Sequence, residues 1–584
     1  MGRLTLSGAF AVSGVVCAEA CIVSPRAPGP RRRIREEARA AEEARFRAAV
    51  DTSRRELLAL REASGSDPQI GLILEAHALM HADPLLVDGT CEAIWNERLC
   101  AEWALHRTVH ALARRLSRVE AAYVRARRED ILQVGRHIER ALTGHDRRDI
   151  ARASGRVLVC EDLSPAETLR LDELGVVGIV STRGTPTGHT ALVARSLGIP
   201  TLVGVAGATT ELHEGEMLVL DGIGGRVIAD PSPAEREEAA ARRSRLLAFE
   251  KRLDRDPAKD LQSADGVAVR LEVNIELPRE LEVAASLGAQ GVGLFRTEYL
   301  QLRGADGATE GQQLAAYEEA LAKFPGPITV RTFDLGADKV EGEGARADNP
   351  ALGLRGLRLS LADPERFRTQ LRALLRAAIR RPLRVMFPMV ATLGELRLAV
   401  QQLDLVAREE QLDEARTRLE LGAMIELPSA VMQAEKLAAE VDFLSVGTND
   451  LIQYTLGVDR NDPEVAHRAS PFEPAVLRLL AVVVSAAKRG EVDLGMCGDM
   501  ASHPLCLPLV LGLGFRRLSV PTASLPWVRA AVERIDVGVA RVLTEAALEV
   551  DTAEEVEALT IESFQGTLGE LWNEAGGPHR SGRS

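Results

Sequence analysis

Aromatic residues are scarce. Four Trp, four Tyr and twelve Phe make up 3% of the 584 residues, so Leu, Ala and Val must fill the cores. Cysteine is sparse too. Cys17, Cys21, Cys91, Cys100, Cys160, Cys497 and Cys506 form no metal-ligand spacing, and their odd number predicts reduced thiols in a cytoplasm rather than a disulfide framework. There is no surplus of basic charge. A net charge of −13 argues against general nucleic-acid binding. No apolar run is long enough to span a membrane. The apolar start is brief and RAPGPRRR follows rather than precedes it, which does not predict a signal peptide.

What is present is organisation. A chain of this length predicts three or four domains. Residues 4–23 read as one or two strands. Residues 34–144 are helical throughout, with segments REEARAAEEARFRAAVDTSRRELLALREAS, DPQIGLILEAHALMHADPLL, CEAIWNERLCAEWALHRTVHALARRLSR and AAYVRARREDILQVGRHIERAL forming two helical hairpins. Ser66 and Pro68 suit a helix start. His77 and His81, one helical turn apart, read as a partner-facing or packing surface rather than a metal pair. Residues 145–230 turn β-rich, with a hairpin at Gly224–Gly225. With residues 1–33 they make one β/α domain into which the helical block is inserted. Residues 231–262 form a charged helical linker opened by Pro231 and Pro233 and closed by Pro257. From 263 to 565, eight strand-like runs alternate with helices, as in a (β/α)8 barrel. Residues 566–584 read as a disordered tail.

Two places carry chemistry. His189 precedes the amphipathic run Ala191, Leu192, Ala194, Leu197, which Gly198 and Pro200 stop. It therefore opens a helix, where free N–H groups and the dipole favour anions and keep an imidazole neutral and nucleophilic. Thr187 would orient the ring. The second place is the C-terminal end of the barrel strands. Asn274, Arg296, Glu298, Arg331, Asp334, Glu426, Asn449, Asp450 and Cys497 all fall there. Arg296 and Arg331 can fork onto one phosphate or carboxylate, and Arg355 and Arg460 add positive charge. Glu426 and Asp450 are hard oxygen donors that suit Mg²⁺ with substrate oxygens and water. A small polyanion bound with Mg²⁺ is predicted. Gly498 beside Cys497 would let substrate approach.

The segments GVGLFRTEYL, VRTFDLGADK, NPALGLRGLRL, MFPMV, MIELPSA, SVGTNDLIQYTLGVDR and GMCGDMA resemble the phosphoenolpyruvate-binding barrel of enzyme I of the bacterial sugar phosphotransferase system. The resemblance runs through nearly the whole chain. It implies an α/β multidomain protein: a swivelling β/α phosphohistidine domain with an inserted helical domain, a helical linker, then a (β/α)8 TIM barrel. By resemblance, His189 takes the phosphoryl group. Arg296 and Arg331 hold the substrate phosphate, with Asn449, Asp450 and Arg460 completing the pocket. Glu426 and Asp450 ligate Mg²⁺, and Cys497 protonates enolpyruvate to pyruvate. The implied partners are phosphoenolpyruvate and pyruvate, an HPr-like carrier docking on the helical insertion, and a second copy through the barrel. The loop Gly184-Thr185-Pro186-Thr187-Gly188-His189 departs from the family's usual Gly-Gly-Arg/Met-Thr-Ser-His, and the family's Ser-Pro-Gly appears only as Ser13-Gly14. Both departures leave open whether the carrier serves sugar uptake or a regulatory relay. Pyruvate phosphate dikinase and phosphoenolpyruvate synthase share such domains but need a nucleotide-binding domain ahead of the histidine. Only about 180 residues precede His189, and about 110 of them read as helix.

Overall fold

The computed structural model describes residues 4–12, 14–23, 31–63, 78, 80–117, 122–143, 152–163, 167–168, 171, 174–184, 189–222, 225–253, 261–276, 278, 280–301, 308–335, 351–460, 465 and 468–575. The chain divides into two units, Met1–Leu247 and Ala248–Ser584. Among the described residues, no helix is long and apolar enough to cross a membrane.

The first unit is built on an eight-stranded sheet. Its strands are β1 (Thr5–Ser7), β2 (Ala9–Val12), β3 (Val15–Val23), β4 (Val157–Cys160), β5 (Gly178–Ser181), β6 (Thr201–Val203), β7 (Met217–Asp221) and β8 (Arg226–Ala229), in the order β1-β8-β7-β3-β4-β5-β6-β2. The opening segment holds three strands, not one or two. Gly14, at φ +141°, lies where a Cβ would come within 2.4 Å of Pro200, and it separates β2 from β3. The long β3 joins two halves. Val15–Glu19 pair antiparallel with β7, and Ala20–Val23 pair parallel with β4. Alternation along the central strands serves two cores. Val157 and Val159 face one with Val16, Leu202 and Leu220, while Leu158 and Cys160 face the other with Ile179, Ala191 and Ala194.

Between β3 and β4 the helices Arg39–Ala63, Pro84–Glu97, Ala101–Ser117 and Ala122–Thr143 pack around Phe46, Ile94, Leu105, Val134 and Ile138. The helix boundaries differ from the sequence expectation. Asp83 accepts a hydrogen bond from Leu85 N at 2.8 Å and starts a helix at Pro84, inside an expected continuous run. Arg98, left-handed at φ 56°, ends that helix within another expected run. Ser66, Pro68 and His77 lie outside the described residues. His81 is fully buried, with Nε2 2.7 Å from Ser53 Oγ. The helix Pro233–Leu253 follows β8, and Ser232 and Glu235 cap its start reciprocally.

The second unit is a closed, all-parallel barrel of β9 (Arg270–Ile275), β10 (Val292–Phe295), β11 (Ile328–Arg331), β12 (Leu383–Phe387), β13 (Leu419–Ile425), β14 (Phe443–Val446), β15 (Asp493–Met496) and β16 (Arg517–Pro521). Helices intervene between successive strands. Two start with full capping boxes, Thr309–Gln312 and Thr392–Glu395. The few aromatics concentrate here: Phe295, Tyr299, Tyr317, Phe324, Phe367, Phe387, Phe515 and Phe564 are all fully buried. Across the closing seam, Arg517 on β16 forks onto Glu272 on β9 with both contacts at 2.8 Å. One expectation fails at the C-terminus. Residues 566–575 are not tail but the end of the helix Ala553–Ala575. Leu568, Leu571 and Trp572 are buried there, and Trp572 Nε1 donates to Pro504 O at 3.0 Å.

Candidate active site

The polar residues expected at strand ends stand at the C-terminal mouth of the barrel. Arg331 closes β11. Arg296, Glu426 and Cys497 each follow the last residue of β10, β13 and β15, and Asn449 and Asp450 open the helix Thr448–Leu456 after β14. Parallel strands bring all these ends to one face.

Asp334, three residues past β11, is the hub. It meets Arg331 NH1 at 3.1 Å and accepts from Arg355 Nε at 3.3 Å and NH2 at 3.0 Å. Burial disfavours its charge, but Arg331 and Arg355 more than offset that and hold the carboxyl below its ordinary value. Arg331 also donates to Glu298 Oε1 at 2.8 Å. Arg355 NH1 reaches Asp450 Oδ1 at 3.4 Å and Tyr454 OH at 3.3 Å. Arg460 NH2 lies 3.8 Å from the same Asp450 oxygen. Arg296 pairs with Glu276 at 3.0 Å. Among the described residues, the Nε atoms of Arg296 and Arg331 are buried without a partner, which leaves donor capacity for an anion.

Glu426 is 1% exposed and accepts from Met389 N at 2.6 Å. Burial, then the charges of Asp450 and Asp334, push its carboxyl up to about 8. Met389 makes that bond from a left-handed backbone, φ 54°, a strained conformation for a side-chain-bearing residue. Two mutually repelling carboxylates fit a hard divalent cation, which would relieve the repulsion. Among the described residues, no group of three or more His, Cys, Asp or Glu side chains converges, so the other ligands to such a cation would be substrate and water oxygens.

Cys497 is 4% exposed and packs with Leu294, Met386, Met424 and Phe443. Ser445 Oγ donates to its sulfur at 3.4 Å, and the thiol reaches Val446 O at 3.6 Å. Burial pushes the thiol up to about 11, so it keeps its proton at neutral pH despite Arg331 and Arg296. Gly498 also has a packing role. A Cβ there would lie 2.0 Å from Thr448 Oγ1 and 2.4 Å from Thr448 N, so the glycine lets β15 close on the helix that carries Asp450. Asn449 Oδ1 accepts from Asp499 N at 2.8 Å and ties these two loops together.

In the first unit His189 opens the nine-residue helix His189–Leu197, as its sequence predicts. Thr187 lies outside the described residues. The organising roles of Asp334 and of the Met389 N–H do not follow from residue type or spacing. Only the quoted stretches VRTFDLGADK and MFPMV point to them.

The comparisons with known proteins agree with this geometry. Residues 7–127 match "PEP-utilising enzyme, N-terminal", 152–225 "PEP-utilising enzyme, mobile domain" and 250–537 "PEP-utilising enzyme, PEP-binding domain". A phosphoenolpyruvate-protein phosphotransferase of Bacillus sp. (strain S) is 36% identical over 572 residues, covering 96% of this chain and 98% of its own. The chain belongs to the phosphoenolpyruvate-protein phosphotransferase family. The protein of that name from Cupriavidus necator is 39% identical over 515 residues, covering 84% of this chain and 87% of its own. That of Bacillus subtilis is 36% identical over 537 residues, covering 90% and 94%.

Proposed function

We propose that this enzyme transfers the phosphoryl group of phosphoenolpyruvate to its own His189 and then to a histidine of an HPr-like carrier, releasing pyruvate. It works in the cytoplasm as a homodimer through the barrel. The observation that carries the reading is the barrel mouth, where arginines with spare donors, two buried carboxylates and a protonated thiol share one rim.

Arg331 and Arg296 receive the substrate phosphate through guanidinium N–H groups, with Arg460, Asn449 and Asp450 completing the pocket. Arg355 and Asp334 hold Arg331 and Asp450 in place, so these groups are oriented before substrate arrives. Glu426 and Asp450 would hold Mg²⁺, which when bound neutralises phosphate and enolate oxygens. His189, at its helix start, attacks phosphorus through a ring nitrogen, with Thr187 orienting the ring. As the P–O bond breaks, Cys497 gives its S–H proton to the methylene carbon of enolpyruvate, and the thiolate left behind accepts the Ser445 hydrogen bond. The N-terminus of the helix His189–Leu197 favours the phosphoryl group on the ring. The Pro-flanked segment 231–262 would act as the swivel between the two stations.

The test is labelling with radioactive phosphoenolpyruvate and Mg²⁺. Wild type should acquire an acid-labile label and pass it to HPr. His189→Ala should acquire none while still binding phosphoenolpyruvate. Undiminished labelling of that variant refutes the assignment.

A further inference from the structure

Asp162 stands on the loop after β4 and is gripped from two elements. From the inserted helix Ala122–Thr143, Gln133 Nε2 donates to its Oδ2 at 3.0 Å and Arg136 NH2 at 3.4 Å. Its Oδ1 accepts from Leu163 N at 2.9 Å and fixes the loop. Thr190, the residue after His189, donates to Leu163 O at 2.9 Å and also lies 3.5 Å from Asp162 Oδ1. Gln133 and Thr190 are both buried. Among the described residues Gln133 Oε1 has no partner, so this side chain is held by its donor end alone. Beside the seam Arg140 pairs with Glu167 at 2.5 Å. Below it, Val193 and Leu197 of the His189 helix pack on Leu57, Leu58 and Ala78 of the insertion. The polar seam is directional, because Gln133 and Arg136 both donate to the same Asp162 oxygen.

We propose that Asp162 is a positioning residue for phosphoryl transfer from His189 to the carrier. It latches the helix that begins at His189 to the helical insertion, so that histidine and insertion present themselves to the carrier as one body. The inference rests on the reading of His189 as phosphoryl carrier and of the insertion as the docking element. The step exchanges one N–P bond for another. The His189 nitrogen keeps its electron pair as the bond to phosphorus breaks, and the carrier nitrogen supplies the pair for the new bond. The latch matters for this step and not for capture at the barrel, because what it fixes is the His189 helix against the insertion, the element that docks the carrier.

Asp162→Asn tests this. An amide that keeps its oxygen on Leu163 N turns its own N–H groups toward the donors of Gln133 and Arg136 and opens the latch. By quenched flow, transfer from phosphoenzyme to purified HPr should fall about tenfold, the scale of one charge-assisted hydrogen bond. Labelling from phosphoenolpyruvate should stay within about twofold of wild type, with the same KM. Adding Gln133→Glu supplies an acceptor for the new amide and should restore transfer. Gln133→Ala alone should reproduce the defect without touching Asp162. Equal loss in both steps, or no rescue by the double variant, overturns the latch and marks a merely structural residue. Unchanged HPr transfer in Asp162→Asn also overturns it while leaving the functional reading intact. A wild-type enzyme that takes no label, or passes none to HPr, removes that reading and the latch with it.

Discussion

Replacing Asp334 by Asn removes one charge and almost no volume from the hub of the barrel mouth. Its side chain is 4% exposed, so solvent screening does little for the arginines it serves. Breaking a buried pair costs about 3–5 kcal/mol. Arg331 keeps Glu298 and Arg355 keeps Asp450, which puts the loss near the lower end. A unit as long as Ala248–Ser584 has an unfolding entropy of about 0.7 kcal/mol per K, so its Tm should fall by about 4 °C. The same loss frees Arg331 to reorient, and kcat/KM for phosphoenolpyruvate should drop about 10²-fold. The pH dependence has a definite sign. The folded-state carboxyl lies below its ordinary value of 3.8, so its contribution is present above that value and is lost as pH falls through the folded one. Calorimetric melts of wild type and variant should therefore differ at neutral pH and converge in acid. A variant that melts with wild type at pH 7 and keeps its kcat/KM would show that the carboxylate organises nothing.

The remaining predictions address the metal, the acid and the loop packing. Glu426 lies raised to about 8 in the folded barrel against 4.5 ordinarily, so the metal-free barrel loses stability as pH rises from about 4.5 through about 8. Adding Mg²⁺ at pH 7 should release up to about one proton per barrel, and at pH 9 almost none, measured by calorimetry in buffers of different ionisation enthalpy. Cys497→Ala should keep phosphoenolpyruvate binding but lose about 10²–10⁴-fold in turnover, and phosphorylated variant in deuterated water should not exchange the pyruvate methyl protons. Wild-type exchange would assign the acid elsewhere. Gly498→Ala should lower the barrel Tm by about 1–4 °C through its clash with Thr448 N, about 1–3 kcal/mol of overpacking, and an unshifted melt would contradict the close approach.

Much of the fold is legible because its signals are local. The barrel strands are apolar runs of four to seven residues bounded by helix starts, and each of the eight expected runs overlaps one observed strand. The linker helix opens at a proline with a reciprocal Ser232–Glu235 cap, which sequence displays directly. Boundaries inside the insertion are less legible. Apolar periodicity continues across Arg98, and only its left-handed backbone breaks the helix. The end of the last helix is hidden because Gly566 and Gly569 weaken the helical pattern, while burial of Leu568 and Trp572 overrides it. At the site, arginine and acid positions are readable as polar interruptions at strand ends. Their pairing is not, because Asp334 and Arg355 meet across a segment of the chain that sequence spacing does not fold. The thiol's protonation is likewise a property of packing. Residue type does not set it, while burial among Leu294, Met386, Met424 and Phe443 makes the thiol a poor anion.

The pairing at the mouth also explains how one rim holds several arginines without substrate. Each guanidinium already faces an acid: Arg296 with Glu276, Arg331 with Glu298 and Asp334, Arg355 with Asp334 and Asp450, and Arg460 with Asp450. These four acids already balance the four arginines, so an ionised Glu426 would be a surplus negative charge, and Asp450 and Asp334 help to keep it protonated. A bare anion entering this rim would compete with carboxylates for the same N–H groups. An anion arriving with a divalent cation meets a different balance. Glu426 and Asp450 would hold such a cation, Glu426 giving up its proton, and Asp450 would then hold Arg355 and Arg460 less tightly. The arginines would then be free to turn toward the phosphate. Substrate and metal should therefore bind with positive coupling in both directions, each raising the other's affinity by the same factor. Measured by titrating each in the absence and presence of the other, independent binding would show that the carboxylates and arginines of this rim do not share one charge balance.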